Sequence, residues 1–199
     1  MKPAIDFYID FTSPYGYLAA CKIEALAAKH GREVNWRPYL LGAAFKVNGS
    51  RAPIGVPMKG EYAMRDFLRS ARFHGVEYRQ PGVFPIPAVA ATRAFYWAAA
   101  QDPKKAAALA NALYRAYFTQ DVNIGEAENV VKVAAAAGYD ADALRAALND
   151  PALKERAKAE VDAAIGKGVF GSPYMVVDGE PFWGVDRFDQ LERWLQAPF

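Results

Sequence analysis

Thiols and imidazoles are scarce in this sequence. Its 199 residues include one cysteine, Cys21, and two histidines, His30 and His74. One cysteine cannot form an intramolecular disulfide or a cysteine-based metal site, and two histidines are too few for a zinc cluster. The sequence therefore predicts a cytoplasmic protein that holds no metal.

Long apolar runs and a strong excess of one charge are also absent. No run of 18 apolar residues occurs, so we expect no membrane-spanning helix. The first residues, MKPAIDFYIDF, lack the charged and long apolar regions of a secretion signal. The net charge of +2 is too small to predict nucleic-acid binding, which needs a clustered basic face. It is compatible with an anionic small-molecule substrate.

The sequence does contain enough apolar residues for a packed core, with 53% hydrophobic and 23% charged residues. The segments AIDFYIDF and EVNWRPYLL alternate apolar and polar residues, which predicts two strands. Between them, Ser13 suits a helix N-cap, Pro14 suits the first helical position, and Gly31 marks the end of the helix. The first 41 residues therefore indicate a strand–helix–strand unit with a right-handed crossover.

The middle of the chain indicates a loop followed by helices. Frequent Gly, Pro and Ser from position 41 to about 62 predict a long, ordered binding loop. Helices are then expected from about 62 to 74, up to about 101, and over 103–119, 126–137, 141–149 and 151–165.

The end of the chain returns to strands. The segments 174–177 and 181–183 flank Asp178-Gly179, a strong signal for a two-residue hairpin turn, and an amphipathic helix follows. The sum is an α/β fold with a thioredoxin-like βαβ…ββα core and a large inserted α-helical domain. We expect residues 1–41 and 166–199 to form the thioredoxin-like domain, and 42–165 to form the insertion.

Two short motifs carry most of the chemistry. Ser13-Pro14 opens a helix, whose first amides lack intrahelical partners and whose dipole stabilises an anion placed there. The alternative is that Ser13 is only a helix cap. Pro173 follows Gly171-Ser172 at the head of a strand, either in a cis bond or as a simple strand start.

Taken together and in order, four segments give the chain a family resemblance: DFTSPYGYLA, FKVNGSRAPIGVPMKGEY, FPIPAVAATRA and GVFGSPYMVVDGEPFWGVDR. The chain resembles the 2-hydroxychromene-2-carboxylate isomerases and the kappa-class glutathione transferases, within the DsbA-like thioredoxin superfamily. The resemblance runs over nearly the whole chain. It implies glutathione as cofactor, a small aromatic carboxylate as substrate, and a homodimer.

The resemblance also implies roles for matching residues. Ser13 stands where a dithiol protein carries a cysteine, and it would stabilise the glutathione thiolate at the helix start. No base adjoins it in the motif, so a direct attack by its hydroxyl is not expected. Asp186 would bind the γ-glutamyl amino group, or else cap the last helix. The remaining implied glutathione contacts are Pro14, Tyr15, Val169, Ser172, Pro173, Trp183 and Val185.

The predicted loop supplies the implied substrate contacts, Lys46, Ser50 and Arg51. Lys46 and Arg51 are the two suited to a carboxylate, and the alternative is an ordinary solvated loop. Two positions depart from the family pattern. Ser50 stands where the kappa-class loop usually has an asparagine, and Pro87 lies near the position of an asparagine found in isomerases.

Three functions remain open on this resemblance. One is an isomerase that converts 2-hydroxychromene-2-carboxylate to trans-o-hydroxybenzylidenepyruvate by reversible thiolate addition. A second is a kappa-like glutathione transferase, and a third is a non-catalytic module that binds glutathione or a peptide. A disulfide oxidoreductase is the least favoured class, because it needs a dithiol and Cys21 lies two turns into the helix.

Overall fold

A four-stranded mixed sheet forms the centre of the computed structural model, which describes residues 2–199. Its strands lie in the order β2-β1-β3-β4. Strand β2 is parallel to β1, β3 is antiparallel to β1, and β4 is antiparallel to β3. The strands are β1 (Ile5–Ile9), β2 (Val34–Pro38), β3 (Tyr174–Val177) and β4 (Glu180–Trp183). The α/β class and the βαβ…ββα order are confirmed.

Nine α-helices surround this sheet within residues 2–199, and the four predicted between 103 and 165 match to within one or two residues. The helices are α1 (Pro14–Lys29), α2 (Leu41–Asn48), α3 (Lys59–His74), α4 (Val89–Ala99), α5 (Pro103–Phe118), α6 (Ala127–Ala136), α7 (Ala141–Asn149), α8 (Pro151–Gly166) and α9 (Phe188–Gln196). None of these helices is long and apolar enough to cross a membrane. The division into a domain of 1–41 with 166–199 and an insertion of 42–165 stays a prediction.

The predicted loop from 41 to about 62 is wrong at both ends. Its first eight residues form α2, and α3 already begins at Lys59. Gly49, one of the glycines that suggested a loop, instead ends helix α2 in the left-handed conformation at φ 73°. Lys46 therefore lies on a helix, whereas Ser50 and Arg51 lie in the short connection after it.

Apolar side chains cover both faces of the sheet. On one face, Phe7 of β1 lies edge-on to Trp36 of β2, with ring centroids 5.0 Å apart, and Leu191 of α9 is buried in the same cluster. On the other face, Tyr8 and Tyr39 belong to a second cluster with residues of α8. Because successive side chains of a strand point to opposite faces, β1 contributes buried apolar side chains to both. It is one of the two inner strands, and the site lies at its end.

The hairpin between β3 and β4 turns at Asp178 and Gly179, both left-handed at φ 53° and 89°, as the sequence predicts. Asp178 is also held by Arg32, whose Nη2 lies 2.5 Å from its Oδ2. Glycine adopts a positive φ without the steric cost that a Cβ brings. The turn therefore depends on Gly179 for its backbone.

We predict that Gly179→Ala lowers the free energy of unfolding by about 1 kcal/mol, the cost of a left-handed residue with a Cβ. The matched control is Gly166→Ala at the end of α8, where an added Cβ meets nothing within 4 Å and alanine is the better helix former. Denaturant unfolding measures both variants. An equal loss of stability in the two would contradict the prediction.

Candidate functional site

Ser13 lies in the turn between β1 and α1 and is only 7% exposed. It is the N-cap of α1, and its Oγ accepts a hydrogen bond from the Gly16 amide at 3.0 Å. The same hydroxyl donates to the backbone carbonyl of Ser172 at 2.7 Å. Ser13 is thus a helix cap, as one alternative held, and it also joins α1 to the segment before β3.

The segment before β3 presents Ser172 and Pro173 to the start of α1. The peptide bond between them is cis, and Ser172 is buried. The Ser172 hydroxyl accepts a hydrogen bond from the Asp10 amide at 2.8 Å. The Tyr114 hydroxyl, from α5, donates to the Asp10 carbonyl at 2.9 Å. Hydroxyl groups from three separate parts of the chain therefore meet at the end of β1.

Gly16 makes this meeting sterically possible. A Cβ built on Gly16 would lie 2.6 Å from Ser172 Oγ and 2.7 Å from Tyr114 Oη. Such distances are far below van der Waals contact, so a side chain at this position would displace one or both hydroxyls. Neither Gly16 nor Tyr114 is identifiable from the sequence, because their importance comes from contacts between distant segments.

Asp10 lies beneath the site and is not among the residues predicted from the sequence. Its carboxylate accepts hydrogen bonds from the Thr12 amide at 2.7 Å, the Thr12 hydroxyl at 2.9 Å and the Leu41 amide at 2.7 Å. Burial raises the pKa of Asp10 above its ordinary value, and the two amides and the hydroxyl oppose this shift. The only local signal is an acidic residue two positions before Thr12, which suits a turn of this type.

Pro14 and Tyr15 occupy the first two positions of α1. Pro14 has no amide hydrogen to lose, and the Tyr15 amide has no hydrogen bond within residues 2–199. The Tyr15 hydroxyl donates to Asp66 of α3 at 2.5 Å, and its ring packs edge-on against Phe67 with centroids 5.1 Å apart. Burial, with help from the hydrogen bond to Asp66, raises the pKa of Tyr15. Its ring therefore walls the site as a neutral group.

An exposed aromatic pair lies beside the cis bond. Trp183 is 56% exposed, and its ring centroid lies 4.9 Å from that of Phe170. The Trp183 indole lies directly against the Gly171 backbone, since a Cβ built there would overlap its Nε1. Val169 and Val185 are buried in the core, so their side chains point away from solvent and only their backbones are candidates for ligand contact.

Asp186 lies in a short 3-10 helix, Val185–Arg187, with its side chain 69% exposed. It does not cap α9, whose first turn has no side-chain cap, and its one ion pair within residues 2–199 is with the adjacent Arg187 at 3.3 Å. The capping alternative for Asp186 is therefore wrong. The turn is tied to the site through Gly184, whose amide donates to the Pro173 carbonyl at 3.1 Å.

Lys46, Ser50 and Arg51 are all exposed. Neither cation forms an ion pair with any residue in the described part of the chain, 2–199. Their charges are therefore available to a ligand. Lys46 is linked to the site through the start of α2, where the Leu41 amide bonds to Asp10.

The arrangement can stabilise an anion but cannot exchange a disulfide by itself. The Tyr15 amide is a donor at the start of α1, at the positive end of the helix dipole. The Ser13 hydroxyl becomes a second donor when it leaves the Ser172 carbonyl. The thiol of Cys21 is exposed on α1 and has no second cysteine in the sequence. Among residues 2–199, no group of three or more His, Cys, Asp or Glu could hold a metal ion.

Comparison with known proteins identifies the family to which this site belongs. The family described as DSBA-like thioredoxin domain matches residues 4–196. The chain belongs to this family. It is 33% identical to the 2-hydroxychromene-2-carboxylate isomerase of Sphingobium xenophagum, over 98% of this chain and 99% of the relative. It is 27% identical to glutathione S-transferase kappa 1 of Caenorhabditis elegans, over 98% and 92% of the two chains.

A solved structure of a 2-hydroxychromene-2-carboxylate isomerase has the same DsbA-like architecture. It superposes with a TM-score of 0.86 at 28% identity, covering 97% of this chain and 94% of that one. These three similar proteins are thus two isomerases and one glutathione transferase. The chain belongs to this isomerase and transferase group of DsbA-like proteins, which are enzymes.

We predict that Gly16→Ala disrupts the site despite the higher helix propensity of alanine, because the clash with Ser172 and Tyr114 exceeds the gain of about 1 kcal/mol. The expected result is a lower melting temperature and loss of activity. Gly42→Ala on α2 is the matched control, since a Cβ there meets nothing within 4 Å. Unchanged stability and activity in Gly16→Ala would show that the hydroxyl cluster is not tightly packed.

Proposed function

We propose that this protein is a glutathione-dependent isomerase. It converts 2-hydroxychromene-2-carboxylate, or a related intermediate of aromatic breakdown, to trans-o-hydroxybenzylidenepyruvate. The observation that carries the proposal is the start of α1, where Ser13 Oγ lies 2.7 Å from the Ser172 carbonyl and no thiol is present. This site occurs in a chain 33% identical to an isomerase over nearly its full length.

The residues at the start of α1 fit a thiolate from glutathione. A free thiol has a pKa of about 8.5 and is mostly protonated at neutral pH. The Ser13 hydroxyl and the unpaired Tyr15 amide are donors that favour the charged form. When bound, glutathione would supply a thiolate for conjugate addition to the substrate, and opening of the ring C–O bond, rotation about the new single bond and loss of the thiolate would complete the isomerisation.

Other parts of the site fit the rest of the tripeptide and the substrate. The Ser172 backbone next to the cis bond suits the main chain of glutathione. The exposed carboxylate of Asp186 suits the γ-glutamyl amino group, because an ion pair with a ligand needs an accessible charge. Lys46 and Arg51, which are free of ion pairs within 2–199, suit the carboxylate of the substrate and hold it near the thiolate.

A kappa-like glutathione transferase is the second candidate, supported by the 27% identity to a kappa-class enzyme. The two reactions share the thiolate addition and differ in the fate of the adduct. An isomerase must hold the adduct until sulfur leaves again, so glutathione is recovered. A transferase releases the adduct, so one glutathione is consumed for each product.

The deciding experiment is a turnover assay on 2-hydroxychromene-2-carboxylate with and without glutathione, in which free thiol is measured before and after many turnovers. We expect turnover that needs glutathione and leaves the thiol concentration unchanged. Loss of thiol equal to the product formed, with a robust rate on uncharged electrophiles, would favour the transferase. No turnover of either kind, with glutathione still bound, would favour a non-catalytic binding module.

We predict that Ser13→Ala keeps the fold and lowers turnover by ten- to a thousandfold, about the effect of losing one positioned donor. It also removes the cap of α1, which costs about 1 kcal/mol. Asp140→Ala is the control for that cost, because Asp140 caps α7 through the Ala143 amide at 2.8 Å, in the helical region. Equal activity of the two variants, per folded molecule, would leave Ser13 as a helix cap only.

We predict that Asp186→Asn raises the KM for glutathione while the KM for the chromene carboxylate changes little. Stability should not change, because Asp186 caps no helix and its ion pair with Arg187 is exposed. Steady-state kinetics and thermal unfolding test both points. A fall in the melting temperature with unchanged glutathione KM would contradict this role.

We predict that Lys46→Ala or Arg51→Ala raises the KM for the chromene carboxylate far more than the KM for an uncharged electrophile. The reason is that only the first substrate offers an anion to the cation. Lys132→Ala on α6 removes the same charge from an exposed position outside the site and serves as the control. Equal changes for both substrates would show that these cations do not bind the carboxylate.

A further inference from the structure

Asp10 is a buried charged residue with no part in the mechanism proposed above. It lies between the end of β1 and the start of α1 and is only 4% exposed. A buried carboxylate is costly unless its oxygens are hydrogen-bonded. Here both oxygens are, and their partners lie in two different parts of the site.

One carboxylate oxygen of Asp10 holds the turn before Ser13. Its Oδ1 accepts from the amide and the hydroxyl of Thr12, at 2.7 and 2.9 Å. The Asp10 carbonyl also accepts from the Ser13 amide at 2.9 Å, and the Asp10 amide donates to the Ser172 hydroxyl. The Ser13 side of the site is therefore built around this residue.

The other carboxylate oxygen holds α2. Oδ2 accepts from the Leu41 amide at 2.7 Å, across 31 residues of sequence. The residue at the N-cap position of α2, Leu40, supplies no side-chain cap. Asp10 thus caps this helix from a distance, at the end where a negative charge is stabilising.

Apart from this hydrogen bond, helix α2 is held by a small apolar contact, in which Leu41 and Ala43 pack against the second cluster. The helix has eight residues, and Ala44 is its one buried residue. A helix this short is not stable on its own. Lys46 lies on this helix, five positions after Leu41. The hydrogen bond between Asp10 and Leu41 therefore also fixes the position of the Lys46 side chain.

We propose that Asp10 is a positioning residue, whose carboxylate fixes α2, and with it Lys46, relative to the Ser13 hydroxyl. The inference rests on the proposed function, because the roles of Lys46 as the substrate cation and of Ser13 at the thiolate come from it. Asp10 would then hold these two groups at a fixed separation. Because Asp10 is buried, in this role it would act without touching glutathione or substrate. Its effect passes through Leu41 to α2 and through Thr12 and the Ser13 amide to the start of α1.

Asp10→Asn tests the link to α2 with little change of shape. The asparagine oxygen keeps the bonds from Thr12, but its NH2 group faces the Leu41 amide, so two donors meet and the bond is lost. We expect the KM for the chromene carboxylate to rise about tenfold, a coupling of ordinary size for linked residues. The KM for glutathione should change less than about twofold, because the Ser13 side is retained.

A double-mutant cycle with Lys46→Ala shows whether Asp10 acts through the cation. If it does, Asp10→Asn adds little to Lys46→Ala, and the double variant has about the KM of the more affected single variant. Asp150→Asn is the control, since Asp150 caps α8 through the Ala152 amide at 2.8 Å. Additive effects, or an equal rise in both KM values, would overturn the proposal.

Hydrogen exchange measured by mass spectrometry tests the positioning role of Asp10 without relying on enzyme activity. In Asp10→Asn we expect faster exchange over 41–48 and unchanged exchange over 127–136, whereas Asp150→Asn should leave both ranges unchanged, because asparagine caps a helix about as well as aspartate. If the wild-type protein does not turn over the chromene carboxylate, the proposed function fails. The hydrogen-exchange measurement then still tests whether Asp10 holds α2 in place. Unchanged exchange in α2 would overturn the positioning role whatever the activity.

Discussion

The hydrogen bond from the Ser13 hydroxyl to the Ser172 carbonyl joins two segments 159 residues apart in sequence. A buried bond of this kind contributes only about 1 kcal/mol, but its geometry constrains much else. It requires that β3 pair beside β1, so that Tyr174 lies opposite Tyr8, and that the first turn of α1 carry no side chain at Gly16. The sheet order, the hairpin and the position of α1 all serve to bring these two serines together.

The parts of the fold that depend on neighbours along the chain are predictable from the sequence. Ser13 and Pro14 mark a helix start by their own backbone preferences, and Asp178-Gly179 marks a hairpin in the same way. The loop predicted from position 41 is wrong because its glycines suggest breaks, whereas Gly49 ends a helix that begins at Leu41. Short helices held by tertiary contacts give a weak periodic signal.

The candidate site is predictable only in part, for a related reason. Ser13, Ser172 and Pro173 belong to short motifs, and the structure brings them together. Asp10 and Tyr114 contact the same region through bonds that span 31 to 162 positions. No pattern of spacing or composition reports such contacts. Whether the implied contacts bind glutathione and a carboxylate stays a prediction.

The Ser13 hydroxyl has one hydrogen to give, and the Ser172 carbonyl already receives it. Stabilising a thiolate therefore means an exchange of partners, in which the carbonyl must find another donor or remain unpaired in a buried site. A cysteine within a peptide brings its own amide hydrogen next to its sulfur and can satisfy the carbonyl as Ser13 turns away. A simple alkyl thiol brings none. On the proposed function, the protein would thus distinguish thiols by whether an amide hydrogen lies next to the sulfur. The sulfur atom, which all thiols share, would contribute little to this selectivity.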